Sequence, residues 1–123
     1  MKNTSAKLLE QALGEIWNER DETRRLNAMK RIYTPDVIFY EANDAAEIKG
    51  FDAINTRIIE LFQQWPAGTA FHFKSEEEIN HGVIKKSWTL GLPGELPIAT
   101  GMDIAIIENG LIKAFYLFLD NNE

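Results

Sequence analysis

At 123 residues, 45% hydrophobic and 26% charged, the chain has the make-up of one soluble globular domain able to bury a sizeable core. Thirteen basic against nineteen acidic residues leave a formal charge of −6, which argues against nucleic acid and anionic membrane as partners, because both need a positive footprint. No cysteine is present, which removes disulfides, thiol nucleophiles and thiolate metal sites.

The opening MKNTSAKLLEQALGEIW lacks the continuous apolar run of a signal peptide, and no stretch is long enough for a bilayer, so a cytoplasmic location is expected. Leu8, Leu9, Ala12, Leu13, Ile16 and Trp17 recur at helical period and predict an amphipathic helix over Thr4–Asn18, with Thr4 or Ser5 as cap. A second helix is predicted over Asp21–Tyr33, capped by Asp21, with Leu26, Met29, Ile32 and Tyr33 buried. Thr34-Pro35-Asp36 breaks it. Val37–Glu41 is β-branched and aromatic and reads as a strand; Asn43–Lys49 is a polar loop ending at Gly50.

Phe51–Gln64 reads as a third helix, stopped by Pro66-Ala67-Gly68. Strands are predicted thereafter over Thr69–Lys74, Ile79–Leu90, Ile98–Glu108 and Leu111–Leu119. Gly91-Leu92-Pro93-Gly94 marks one turn. Asn109-Gly110, the pair that most readily takes the positive φ of a tight hairpin, marks the last. Helices first, then consecutive hairpins, is an α+β order, and a curved antiparallel sheet folded over three helices would leave a pocket in its concavity.

The ordered set Ile16-Trp17-Asn18, Tyr33-Thr34-Pro35-Asp36-Val37-Ile38-Phe39, Lys49-Gly50-Phe51-Asp52-Ala53-Ile54, Trp88, Thr100-Gly101-Met102-Asp103 and Glu108-Asn109-Gly110-Leu111-Ile112 resembles the SnoaL-like branch of the nuclear transport factor 2-like superfamily, related to ketosteroid isomerases and polyketide cyclases. The resemblance implies a cone-shaped half-barrel with a deep pocket and a homodimer through the sheet. An apolar outer face carrying Met102, Ile104 and Ile106 is consistent with that pairing. It does not imply one activity, since the fold carries isomerases, cyclases, hydrolases, dehydratases and binding modules. By the same resemblance Glu41 falls where a carboxylate base would sit, Asp103 where a protonated acid would sit, and Trp17 where a hydrogen-bonding tyrosine would sit. An indole donates one hydrogen bond but is a far weaker acid than a phenol.

Asp103 stands in an apolar strand. In a pocket its pKa would rise and fit it for general acid or base work; the plainer reading is a carboxylate paired with a lysine or a backbone amide. Strand alternation puts Val37, Phe39 and Glu41 on one face, so Glu41 is either at a pocket rim with Phe39 below it or a solvated strand end. Trp17 and Trp88 have the size to wall a pocket or simply to pack a core. His81 is read as a pocket residue or a structural histidine, and His72 as outward-facing if Phe71 and Phe73 enter the core. The two histidines lack metal-ligand spacing, and no glycine-rich phosphate loop or nucleophile elbow occurs, so neither metal nor cofactor is expected. Two functions follow: a cofactor-free acid–base enzyme of isomerase, cyclase or dehydratase type acting on an apolar small molecule, or a non-catalytic module binding a hydrophobic ligand or a protein.

Overall fold

The computed structural model describes residues 7–120. Helix α1, Leu8–Ala12, continues into a π-helical stretch, Leu13–Trp17, closed by a bond of 2.8 Å from Asn18 N–H to the Leu13 carbonyl. The cap candidates Thr4 and Ser5 lie outside the described residues. The Leu9 and Glu10 amides donate to the Glu77 carboxylate at 3.1 and 3.0 Å, so a distant loop satisfies donors that a helix start leaves open. Helix α2, Glu22–Ile32, is capped by Asp21, whose side chain accepts from Arg24 N–H.

The chain passes from α2 straight into β1, Tyr33–Tyr40, starting before the predicted Val37. Pro35 forbids helix at the residue before it and has no amide to donate, but an extended backbone tolerates both restrictions. Val37 and Phe39 point into the core, and Ile38 and Tyr40 do not. Strand β2, Ile48–Lys49, leads through Gly50, at φ +90°, into α3, Phe51–Gln64, which buries Ile54 and Ile58.

Strand β3 is Ala70–Phe73, and the long strand expected over Ile79–Leu90 is two: β4, Glu78–Asn80, and β5, Val83–Gly91. His81 and Gly82 both take positive φ, 49° and 78°, and fold the chain back so that Asn80 pairs with Val83. Ile79 on one side and Val83 and Ile84 on the other suggest a single strand; the His-Gly turn between them ends it. Strands β6, Ala99–Glu108, and β7, Leu111–Leu119, join through Asn109-Gly110 as predicted, both at positive φ.

The curved, unclosed sheet runs β2-β1-β7-β6-β5-β3, with β4 also on β5. Pairing is antiparallel except for β1 on β7, which are parallel in the register Phe39↔Phe115. The inner face carries Ile84, Trp88 and Leu90 on β5, Gly101, Asp103 and Ala105 on β6, and Phe115 on β7. Phe115 stacks on Phe39 at 4.6 Å and on Tyr33 at 5.2 Å. Met102, Ile104 and Ile106 are half-buried on the outer face. Among the described residues no helix is long and apolar enough to cross a membrane.

Candidate functional site

A cavity of about 410 Å³ opens between the end of the first helix, α3 and the concave face of the sheet. All three tryptophans of the chain, Trp17, Trp65 and Trp88, stand in its wall with Phe39 and Phe71. Alternation on β1 brings Phe39 and, just past the strand's end, Glu41 to it, while α3 presents Arg57 and Leu61, followed by Trp65 just past the helix's end. Leu90, Ala99, Leu117 and Leu119 complete an apolar wall from the strands.

Trp88 is held by a fit that only glycine allows. It pairs directly across from Gly101, and its ring covers that residue: a Cβ at position 101 would lie 2.8 Å from the indole and 2.5 Å from the Phe118 carbonyl oxygen. From this seat the indole Nε1 donates to Asp103 Oδ1 at 3.0 Å. Asp103 is 5% exposed, and burial pushes its carboxyl up to about 7, against the opposing effect of the Trp88 hydrogen bond. Trp88 is in the cavity wall and Asp103 is behind it.

A second indole makes the same kind of bond. Trp17 Nε1 donates to the Tyr33 hydroxyl at 3.1 Å, and Tyr33 is 1% exposed. Burial pushes the phenol well above its ordinary value, the Trp17 bond opposes this, and the nearby Asp103 charge adds to the rise. The position on the first helix is an indole, but a phenol is at hand from the α2–β1 junction, with its own proton still to donate.

Glu41 sits at the cavity mouth in a forked ion pair. Arg57 Nε lies 3.1 and 3.0 Å from its two oxygens and Nη2 lies 2.9 Å from Oε2, while Nη1 reaches Glu60 at 3.2 Å. The bond to Glu41 raises the Arg57 pKa. As a base, Glu41 would have to give up this partner.

His81 does not join this site. It occupies the exposed β4–β5 turn, bonded to the Asn80 side chain at 2.7 Å, and borders a separate hollow with Ile79, Val83 and Ile104. The reason is the break in the long strand, which puts His81 at a turn instead of an inward strand position. His72 is exposed, as expected from a buried Phe71, but Phe73 is exposed too, lying under the Lys86 ammonium at 4.8 Å. Lys86 explains the poor alternation of β5: it is 4% exposed on the inner face and runs its stem out to the Ser75 carbonyl, 2.7 Å away. Among the described residues no cluster of histidine and carboxylate side chains could hold a metal ion.

Sequence reasoning missed Arg57 and Trp65 as cavity residues and the buried Tyr33 as the hydrogen-bond partner of Trp17. The spacing of Arg57, Leu61 and Trp65 on one stripe was an available signal; the meeting of Tyr33 with Trp17 was not, since it depends on how α2 crosses the first helix.

No family profile matches the sequence, and comparison with curated proteins finds no match. Solved structures do match. A proposed isomerase of the SnoaL-like family from Agrobacterium tumefaciens superposes with a TM-score of 0.83 at 22% identity, over 97% of this chain and 100% of that one. A proposed SnoaL-like polyketide cyclase from a Jannaschia species gives 0.76 at 12% identity, over 95% and 85%. A proposed ketosteroid isomerase from Kribbella flavida gives 0.69 at 14% identity, over 98% and 80%. At these identities the likeness establishes the fold: the α+β cone of SnoaL-like and nuclear transport factor 2-like proteins.

Proposed function

We propose that the cavity takes a small molecule with an apolar body and that Asp103 moves a proton on it without a cofactor. The buried Asp103 carboxyl, pushed up to about 7, carries this reading, because a group of that pKa is available at neutral pH both as acid and as base. The reaction that fits best is abstraction of a proton next to a carbonyl. The C–H bond breaks, the proton goes to the Asp103 carboxylate, and the electron pair moves onto the carbonyl oxygen as an enolate. Returning the proton to another carbon completes an isomerisation. Tyr33 keeps its proton through the neutral range and Trp17 fixes its hydroxyl, but like Asp103 it stands outside the cavity lining, so it would donate to the enolate oxygen only if the Trp17 edge also yields. For the transfer, the Trp88 edge must yield so that the reacting carbon reaches Asp103. Likeness to a proposed isomerase and a proposed cyclase supports the class without naming a substrate.

The test is deuterium exchange followed by NMR, with a cyclic enone as probe in heavy water. The protein is expected to speed exchange at the carbon beside the carbonyl, and Asp103→Asn to reduce that rate by roughly 100-fold or more. Exchange at the buffer rate, or equal exchange in both proteins, would remove Asp103 from catalysis.

One arrangement favours a second reading, binding without turnover. Asp103 lies behind Trp88 and Glu41 is tied to Arg57, so neither carboxylate is free in the cavity. A probe retained with no exchange selects that reading.

A further inference from the structure

Most of the aromatic wall is closed to an occupant. Trp17, Phe39, Phe71 and Trp88 are between 1% and 7% exposed, and they pack on one another, on Phe115 or on Gly101. Two of the three wall indoles have also spent their N–H, Trp17 on Tyr33 and Trp88 on Asp103. The charges at the mouth are engaged too. All three guanidinium nitrogens of Arg57 lie on carboxylates, Nε and Nη2 on Glu41 and Nη1 on Glu60.

Trp65 is the exception. It is half-buried, it lines the cavity just past the end of α3, and its indole N–H has no partner among the described residues. No buried side-chain nitrogen or oxygen among those residues lacks a hydrogen bond, so this N–H reaches open space instead of being sealed in. Phe71 touches both Trp65 and Trp88, with ring centroids 5.9 and 5.0 Å away, so the Trp65 donor is one ring removed from the indole that covers Asp103.

A charged occupant would find no unengaged opposite charge in this wall, and a purely apolar one would strip water from the Trp65 N–H without replacing it. The Asn43 amide at the rim both donates and accepts, so it makes no choice between occupants. We propose that the cavity selects an uncharged molecule with an oxygen acceptor at the end that meets Trp65, and that the Trp65 N–H donates to it. This rests on the reading of the cavity as a ligand site and names the chemistry at one end of the occupant: a ketone, ester or ether oxygen, not a carboxylate or an ammonium. The half-buried Leu61 and Leu117 and the exposed Leu119 are left to cover its apolar body.

The experiment is ¹H–¹⁵N NMR of the intact, uniformly ¹⁵N-labelled protein, titrated with two probes of one shape, cyclohexanone and methylenecyclohexane. Trp65→Phe keeps a ring, removes the N–H and so identifies the Trp65 indole resonance. The ketone is expected to move that resonance downfield in a saturable way and to bind about fivefold more weakly to Trp65→Phe, the effect of one hydrogen bond. The hydrocarbon is expected to bind both proteins alike. A ketone that binds without moving the Trp65 resonance, or an equal loss of both probes in Trp65→Phe, overturns the acceptor assignment while the apolar-ligand reading stands. If neither probe enters at millimolar concentration, the assignment and the cavity's role as a ligand site fall together.

Discussion

Asp103→Asn is expected to stabilise the protein progressively, relative to the native sequence, as pH rises. The folded protein holds the Asp103 proton up to about pH 7, whereas the unfolded chain releases it at the ordinary aspartate value of 3.8. Folding thus takes up a proton between those values. The stability this group contributes is complete below the lower pH, lost as pH climbs toward the upper, and constant above it. Asparagine keeps an oxygen to accept from Trp88 but has no charge to lose. The difference in unfolding free energy between the two proteins should therefore move by about 2–3 kcal/mol in favour of asparagine between about pH 5 and pH 8. Urea titrations at a series of pH values read this directly. The asparagine NH₂ brings a fixed offset, so the change with pH is the decisive quantity. Two parallel stability curves would mean that Asp103 is solvated in solution.

Of the Cβ atoms that could be added at this chain's glycines, the one in Gly101→Ala meets the tightest contacts and is expected to be strongly destabilising. The φ of Gly101 is not in the left-handed region, so the penalty is one of space alone. The new Cβ would stand 2.5 Å from the Phe118 carbonyl oxygen, a backbone atom that cannot turn aside, and under 3 Å from two atoms of the Trp88 ring. Either β6 and β7 part or the indole leaves its seat. A loss of about 3 kcal/mol follows, with a change in tryptophan emission as the Trp88–Asp103 bond breaks. Gly14→Ala is the control, since nothing lies within 4 Å of its added methyl, and it should cost nothing or stabilise slightly. If Gly101→Ala matched the control, Trp88 would not lie where it is described.

These two residues also show how far the chain could be read before its structure. Local chemistry was legible. Asn109-Gly110 located the last hairpin, period 3.6 located α3 over Phe51–Gln64, and period 2 put Val37, Phe39 and Glu41 on one face, which the structure shows to be the inner one. Asp103 was legible only as a choice between two faces of an alternating strand, and the structure puts it on the buried one, opposite to Met102, Ile104 and Ile106. What stayed hidden was set by partners distant in sequence. Arg57 neutralises Glu41 across sixteen positions, and Tyr33 receives the Trp17 proton across another sixteen. His81 was misplaced for a local reason: Ile79 before it and Val83 and Ile84 after it outweighed a His-Gly turn. Lys86 blurred the alternation of β5, since a lysine can point inward and still end at a backbone carbonyl.

The account depends on a carboxyl group kept from water beneath an indole, and NMR can watch both at once. In protein carrying ¹³C-aspartate and ¹⁵N-tryptophan, the Asp103 carboxyl should titrate with a midpoint near 7, and the Trp88 indole N–H should shift with the same midpoint. A carboxyl midpoint near 4, or an indole resonance indifferent to it, would contradict the account.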